Sequence, residues 1–135
     1  MKKFFKNTGV VLLGIIIGMV INMGLIMLGG IVFETSQNFD PANVVDWDHK
    51  FFIFPFLAHS CGTLSGSYFV SKFTSSSSIF FPLIVGVYFL FGGIYMANLL
   101  AAPFWFEALD LCLCYIPMAL LGWKISKFKS NQNLF

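Results

Sequence analysis

Four long apolar runs constrain this chain more than any other feature of its sequence. They cover about residues 9–33, 53–72, 79–101 and 104–124. A helix of about 20 residues crosses a bilayer core that is about 30 Å thick. A soluble domain of 135 residues, 58% of them hydrophobic and 10% charged, could not bury that much apolar surface. The sequence therefore predicts an all-α integral membrane protein, a single domain over residues 1–135, folded as an up-down bundle of four helices.

The distribution of charge predicts how this bundle is oriented. Seven of the eight basic side chains flank ends of the runs that share one side in a four-span arrangement: Lys2, Lys3, Lys6, Lys72, Lys124, Lys127 and Lys129. The eighth lies in the outer connection 34–50 with most of the acidic residues. The positive-inside rule then puts both termini in the cytoplasm, as expected for a multi-pass protein of a bacterial inner membrane. The lysines indicate contact with lipid headgroups, and no nucleic-acid partner is predicted.

The two polar connections have different predicted roles. In the outer one, Asp40-Pro41 is typical of a helix N-terminus. Asp46, Asp48 and His49 could hold a divalent ion, but a solvated surface is the simpler interpretation, so we predict no metal and no cofactor. Residues 71–78 are serine-rich and are predicted to form the inner turn, which caps the third helix.

Small residues recur at helical spacing in three of the runs. The pairs are Gly14 and Gly18, Gly62 and Gly66, and Gly86 and Gly93. Such rows let the backbones of neighbouring helices approach closely, so these six glycines are predicted to be helix-packing residues. They could pack within the chain, in a homo-oligomer, or against a partner membrane protein.

The stretch 58–66 is polar and glycine-rich inside an otherwise apolar run. His59 and Thr63 share a helix face there. A histidine at membrane depth costs free energy unless a polar group receives it, and the fourth run supplies Asp110. Asn22 and Asn98 come from the remaining two helices at a similar predicted depth. These five residues form the predicted intramembrane polar site. Its structural alternative is a hydrogen-bonded network that only fixes which helices pack together.

Proline and cysteine add two local predictions to the fourth run. Pro117 leaves one carbonyl of its helix without a donor, so a kink is expected near Leu113. Cys61, Cys112 and Cys114 all lie within apolar runs, where they are interpreted as small buried residues with no disulfide and no metal to bind.

Several motifs together resemble those of small, uncharacterised four-span bacterial inner-membrane proteins. The motifs are Asn22-Met23-Gly24, Phe54-Pro55-Phe56-Leu57-Ala58-His59, Gly62-Thr63-Leu64-Ser65-Gly66, Trp105-Phe106, and Asp110 with Tyr115-Ile116-Pro117-Met118-Ala119. The resemblance covers nearly the whole chain and implies the four-span topology. It implies no activity, substrate or cofactor.

Three classes of function fit these features. The first is a small oligomeric transporter or permeation-pathway protein, in which His59 and Asp110 gate a proton or a small solute. The second is a structural or accessory subunit of a larger membrane complex, with no catalytic role. The third is an enzyme that uses His59 as an acid–base group. The third is the least favoured and no catalytic residue is predicted, because Ser60 and Cys61 point about 100° and 200° away from His59 around the helix.

Overall fold

The computed structural model describes residues 1–34, 44–45, 47–75 and 78–132, the last four by their backbone alone. Within these residues the regular secondary structure is all helix, with no strand, which confirms the predicted all-α class. The helices are α1 (Lys2–Val32), a 3₁₀ turn (His49–Phe52), α2 (Ile53–Phe73), α3 (Phe80–Leu99), α4 (Phe104–Leu113) and α5 (Ile116–Gln132). Because α2 continues to Phe73, the prediction that the inner turn begins at residue 71 is wrong by three residues.

Three helical segments are long and apolar enough to cross a membrane: Lys2–Val32, Phe80–Leu99 and Phe104–Phe128, which joins α4 to most of α5. This is the composition of a multi-pass membrane protein. The 21-residue α2 is long enough but falls short in hydropathy, because serine, threonine, glycine and histidine occupy much of its length. Helix α2 is also the helix with the most buried positions, so its polar groups lie inside the protein.

The helices alternate in direction around α2. The Asn7 side chain near the start of α1 accepts a hydrogen bond, 2.9 Å long, from the backbone N–H of Ser75, just after α2 ends. Near the other end of α1, Gly29 lies against the ring of Phe54. Helices α1 and α2 are therefore antiparallel, whereas α2 and α4–α5 run in the same direction and α3 opposes both. One end of the structure consequently carries most of the lysines: Lys2, Lys3, Lys6, Lys72, Lys124 and Lys127. We call it the lysine-rich end.

Glycines from both helices form the contact between α1 and α2. A Cβ added to Gly18 would lie 2.7 Å from the carbonyl oxygen of Gly62, and one added to Gly62 would lie 2.8 Å from that of Gly18. One turn away, Gly14 and Gly66 show the same reciprocal approach, at 2.9 and 2.6 Å. Since no side chain fits between these backbones, the two glycine rows pack against each other within one chain.

The remaining glycine row, on α3, packs against the fourth run. A Cβ on Gly86 would lie 2.7 Å from the Cβ of Ala119, and one on Gly93 would overlap the ring of Tyr115. The six predicted packing glycines thus all make close contacts inside the chain, and an interface to another protein stays a prediction. A seventh, Gly122 of α5, was not predicted; its Cβ would lie 2.6 Å from the carbonyl oxygen of Leu64.

The outer connection is described only in part. Asp40, Pro41 and Asp46 lie outside the described residues, so the helix start and the ion site predicted there are untested. The Asp48 side chain accepts a 3.2 Å hydrogen bond from the backbone N–H of Lys50 and so caps the 3₁₀ turn. This hydrogen bond, with the ammonium of Lys50 at 3.5 Å, holds the pKa of the Asp48 carboxyl below its ordinary value.

Candidate functional site

Two parallel helices bring His59 and Asp110 to the same depth. Each residue lies six positions after the first residue of its helix, Ile53 in α2 and Phe104 in α4. At 1.5 Å per residue, both side chains are about 9 Å from those helix starts. The His59 Nδ1 atom lies 2.7 Å from Asp110 Oδ1, a hydrogen-bonding distance that becomes an ion pair when the ring is protonated. Helices α2 and α4 are joined through this contact.

Tyr115 completes the site from the segment between α4 and α5. Its hydroxyl donates a 2.7 Å hydrogen bond to Asp110 Oδ2, and its ring lies 5.8 Å from the ring of His59. The Tyr115 side chain is 1% exposed. Positions five apart on an uninterrupted helix point about 140° away from each other. The break in the helix after Leu113 therefore helps to bring the Tyr115 hydroxyl to Asp110.

Pro117 causes that break, as the sequence predicted. Proline has no N–H to donate to the carbonyl of Leu113, so α4 ends at Leu113 and α5 begins at Ile116. The hydrogen bonds that flank the break are intact, from the N–H of Cys114 to the Asp110 carbonyl and from the N–H of Ala119 to the Tyr115 carbonyl. The interruption is therefore confined to one turn, which is the turn that carries the site.

The hydrogen-bonding pattern defines the chemistry open to His59. An ionised Asp110 accepts at both oxygens, from the Tyr115 hydroxyl and from the Nδ1–H of His59. The Asp110 side chain is 7% exposed and that of His59 is 18% exposed. The second ring nitrogen, Nε2, makes no hydrogen bond to the described part of the chain, and it is not among the fully buried atoms that lack a partner there. With Nδ1–H held by the carboxylate, Nε2 carries the lone pair that can take up a proton.

The other predicted site residues do not bond to this network. Asn98 is exposed and donates a 2.7 Å hydrogen bond to the Ile94 carbonyl of its own helix. Asn22 packs beside Gly62 and makes no hydrogen bond with the described residues. Thr63 is fully buried one turn from His59, and its hydroxyl has no partner in the part of the chain that the structure describes. The described contacts therefore limit the network to His59, Asp110 and Tyr115.

A second polar contact lies beside the first. The Ser60 hydroxyl donates to Cys114 Sγ at 3.0 Å, and that thiol lies 3.6 Å from the carbonyl oxygen of Phe56. Cys114 is fully buried, as predicted, but Cys61 and Cys112 are exposed, so the prediction of burial is wrong for those two. They point outward because α2 and α4 turn their polar faces, with Ser60 and Asp110, toward each other.

Sequence reasoning missed Tyr115 as a member of the site. The signal available was Pro117, because a break one turn before a proline changes which side chains share a face with Asp110. Within the part of the chain that the structure describes, no cluster of histidine, cysteine, aspartate or glutamate could hold a metal ion. Comparisons of the chain with protein-family models, curated proteins and solved structures find no match.

Proposed function

We propose that the chain crosses a bacterial inner membrane four times, with both termini in the cytoplasm. The alternating directions of α1, α2, α3 and α4–α5 support four crossings, because each helix then carries the chain across and each connection joins two helix ends on the same side. The enclosed position of α2 supports counting it as a span despite its low hydropathy, since its buried polar groups face protein and not lipid. The lysine-rich end corresponds to the cytoplasmic side.

Within this topology, the chain is a small transporter or permeation-pathway protein whose His59 takes up and releases a proton. The observation that carries this proposal is the contrast between the two ring nitrogens: Nδ1 is held 2.7 Å from a buried carboxylate, while Nε2 has no partner among the residues that the structure describes. Asp110 stabilises the protonated ring, and Tyr115 holds the carboxylate in place. Four spans enclose little space, so a pathway for a solute is expected between two copies of the chain in the bilayer.

Proton flux into liposomes tests this function. Purified protein is reconstituted with a pH-sensitive dye inside the vesicles, and a proton gradient is imposed with and without a membrane potential. We expect flux in the wild type, and we expect His59→Ala and Asp110→Asn each to reduce it at least tenfold. Tyr115→Phe, which removes one of the two hydrogen bonds to Asp110, should reduce the flux less than either change.

Asn98→Ala is the matched control, because Asn98 is also polar and helical but bonds only to its own helix. Its flux should equal that of the wild type. Wild-type vesicles as tight to protons as protein-free vesicles would contradict the transport function. Equal flux in His59→Ala, Asp110→Asn and the wild type would contradict the role given to the pair.

A structural or accessory role is the second candidate. The observation that favours it is the burial of Asp110, whose two oxygens are both hydrogen-bonded, as in a network that only fixes the positions of helices. In that case Asp110→Asn lowers stability in detergent while the wild type shows no proton flux. Purification in mild detergent should then recover a defined partner membrane protein in constant ratio, and a chain that always runs alone would argue against this role.

A further inference from the structure

Helix α2 carries a row of buried hydroxyl groups between His59 and the lysine-rich end. Thr63, Ser67 and Ser71 follow His59 at intervals of four residues, so each side chain lies beside the next along the helix and is turned by about 40° from it. Thr63 and Ser67 are fully buried and Ser71 is 5% exposed. We call these three residues the hydroxyl row. From His59 to Ser71 it extends about 18 Å along the helix axis.

Two of the three hydroxyls in the row have no partner among the described residues. Ser67 donates a 3.2 Å hydrogen bond to the carbonyl of Pro82 in α3, so the row faces the interior between helices. The hydroxyls of Thr63 and Ser71 make no hydrogen bond within this part of the chain. A serine or threonine inside a helix commonly bonds to the carbonyl four residues earlier. Ser65, on another face of α2, does so with the carbonyl of Cys61, but Thr63 and Ser71 do not.

A buried hydroxyl without a partner is costly, and water is the partner that buried polar groups most often recruit. The spacing suits water. Positions four apart on a helix are separated by about 6 Å along the axis. Two successive hydrogen bonds of about 2.8 Å through one water reach at most about 5.6 Å, and less at the bent angle of a water molecule. One or two water molecules are therefore needed to bridge each gap, with Ser67 in the middle of the row.

We propose that the hydroxyl row holds internal water molecules and connects the His59 site to the lysine-rich end. For proton transfer, each hydroxyl and each water accepts one hydrogen bond and donates another, so the Ser67 hydroxyl turns from the Pro82 carbonyl to the next water in the row. A proton that enters at one end therefore releases a different proton at the other, and no bond to carbon changes. The inference that water is present rests only on the burial of these hydroxyls. Its use as a proton path rests on the proton-transport function proposed above.

Water contact is tested first, without any activity measurement. Solid-state NMR of proteoliposomes detects magnetisation transferred from water to nearby side chains. We expect transfer to the side chains of Thr63 and Ser71 at rates near those of exposed residues. Fully buried apolar side chains such as Val85 should receive it far more slowly. Transfer to Thr63 and Ser71 as slow as to Val85 would overturn the proposal.

Stability gives an independent measurement of the same point. Valine has the shape of threonine but no hydroxyl. If water bonds to Thr63, Thr63→Val leaves that water under-bonded, and the unfolding midpoint falls by a few degrees. If the hydroxyl is dry, the same change removes an unsatisfied group and the midpoint rises, which would contradict the proposal. Thr8→Val is the matched control, since Thr8 is exposed and donates to the Phe4 carbonyl of its own helix.

Proton flux tests the path itself. Thr63→Val and Ser71→Ala should each lower flux at least fivefold, while Ser65→Ala, which removes a hydroxyl from another face of α2, should leave it unchanged. Flux that depends on His59 but is unaffected by both row variants would overturn the path and leave the proposed function intact. A wild type without flux, but with water transfer to Thr63, would contradict the proposed function and uphold the hydrated row.

Discussion

Gly93 lies against the ring of Tyr115, so a single methyl group placed there tests whether packing positions the site. A Cβ at this residue would lie 2.6 Å from Tyr115 Cζ and 2.8 Å from Cε2, and its closest contact would be the hydroxyl oxygen. Ordinary van der Waals contact begins at 3.4 Å. In Gly93→Ala the ring or helix α3 must therefore move by about 1 Å to relieve the contact with the hydroxyl oxygen. Tyr115 is 1% exposed, so the ring has little free space to enter.

The size of the effect follows from comparing two terms. Forcing an extra methyl group into a closed core costs about 1–3 kcal/mol. Polar interactions between groups in membrane proteins average about 0.6 kcal/mol, so loss of the hydrogen bond from Tyr115 to Asp110 adds less than the overpacking does. We expect Gly93→Ala to lower the free energy of unfolding by about 2–3 kcal/mol. It should also reduce proton flux, because Asp110 loses one of its two partners.

The neighbouring glycine supplies the control. Gly92 is in the same helix, and a Cβ there would meet nothing within 4 Å. Gly92→Ala should therefore be neutral, or stabilising by up to about 1 kcal/mol through reduced backbone entropy. Reversible unfolding in mixed micelles of increasing SDS content, followed by tryptophan fluorescence, measures both variants. Equal stability of Gly92→Ala and Gly93→Ala would refute the reasoning.

A double mutant separates packing from hydrogen bonding. Tyr115→Phe removes the hydroxyl oxygen that a Cβ at Gly93 would meet first. Gly93→Ala should then cost about 1 kcal/mol less in the Tyr115→Phe background than in the wild type. Strict additivity of the two changes would mean that the methyl group acts elsewhere than on the hydroxyl.

Two further predictions concern the α1–α2 contact and the outer end. Gly18→Ala should lower the free energy of unfolding by about 1–3 kcal/mol, since its Cβ would lie 2.7 Å from the Gly62 carbonyl oxygen. Gly24→Ala is the control and should not lower it, because a Cβ there would meet nothing within 4 Å. Unfolding in SDS compares the two variants. At the outer end, the backbone hydrogen bond is the main cause of the lowered pKa of Asp48, so in Lys50→Ala that pKa should still lie below its ordinary value of 3.8. The stabilisation from the ionised Asp48 is then present above pH 3.8 and lost as the pH falls through the lowered pKa, which an NMR titration of its carboxyl carbon follows.

The sequence was most informative where one residue type has one physical meaning. The glycine pairs predicted close backbone contacts, because no other residue lets two helices approach to such distances. The kink at Pro117 was equally predictable, since proline always removes one donor. The polar stretch around His59 predicted burial against protein, because a histidine facing lipid would be left without a partner.

The partners of these features could not be predicted, because they depend on how helices are placed relative to each other. Asn22 and Asn98 share a predicted depth with His59, but depth does not fix the direction in which a helix face points. Asn98 satisfies its side chain on its own helix instead. The glycines of α1 similarly gave no indication that they meet Gly62 and Gly66 of the same chain. Only the assembled helices settle such choices.

The low hydropathy of α2 and its central position follow from the same cause. Helix α2 carries four buried hydroxyl residues, Ser60, Thr63, Ser67 and Ser71. If lipid surrounded this helix on all sides, exposing these hydroxyls to it would cost free energy. Packing against α1, α3 and α5 removes that contact, and the glycine rows bring the neighbouring backbones close enough to do so. The apolar helices around it can then be apolar on every outward face. Two independent structural features therefore hold the polar site: the glycine contacts that enclose α2, and the position of Tyr115 against Asp110 that follows from the break at Pro117. Gly18→Ala disturbs only the glycine contacts, and Gly93→Ala disturbs the position of Tyr115. The proton flux of these two variants therefore shows which of the two features the site requires.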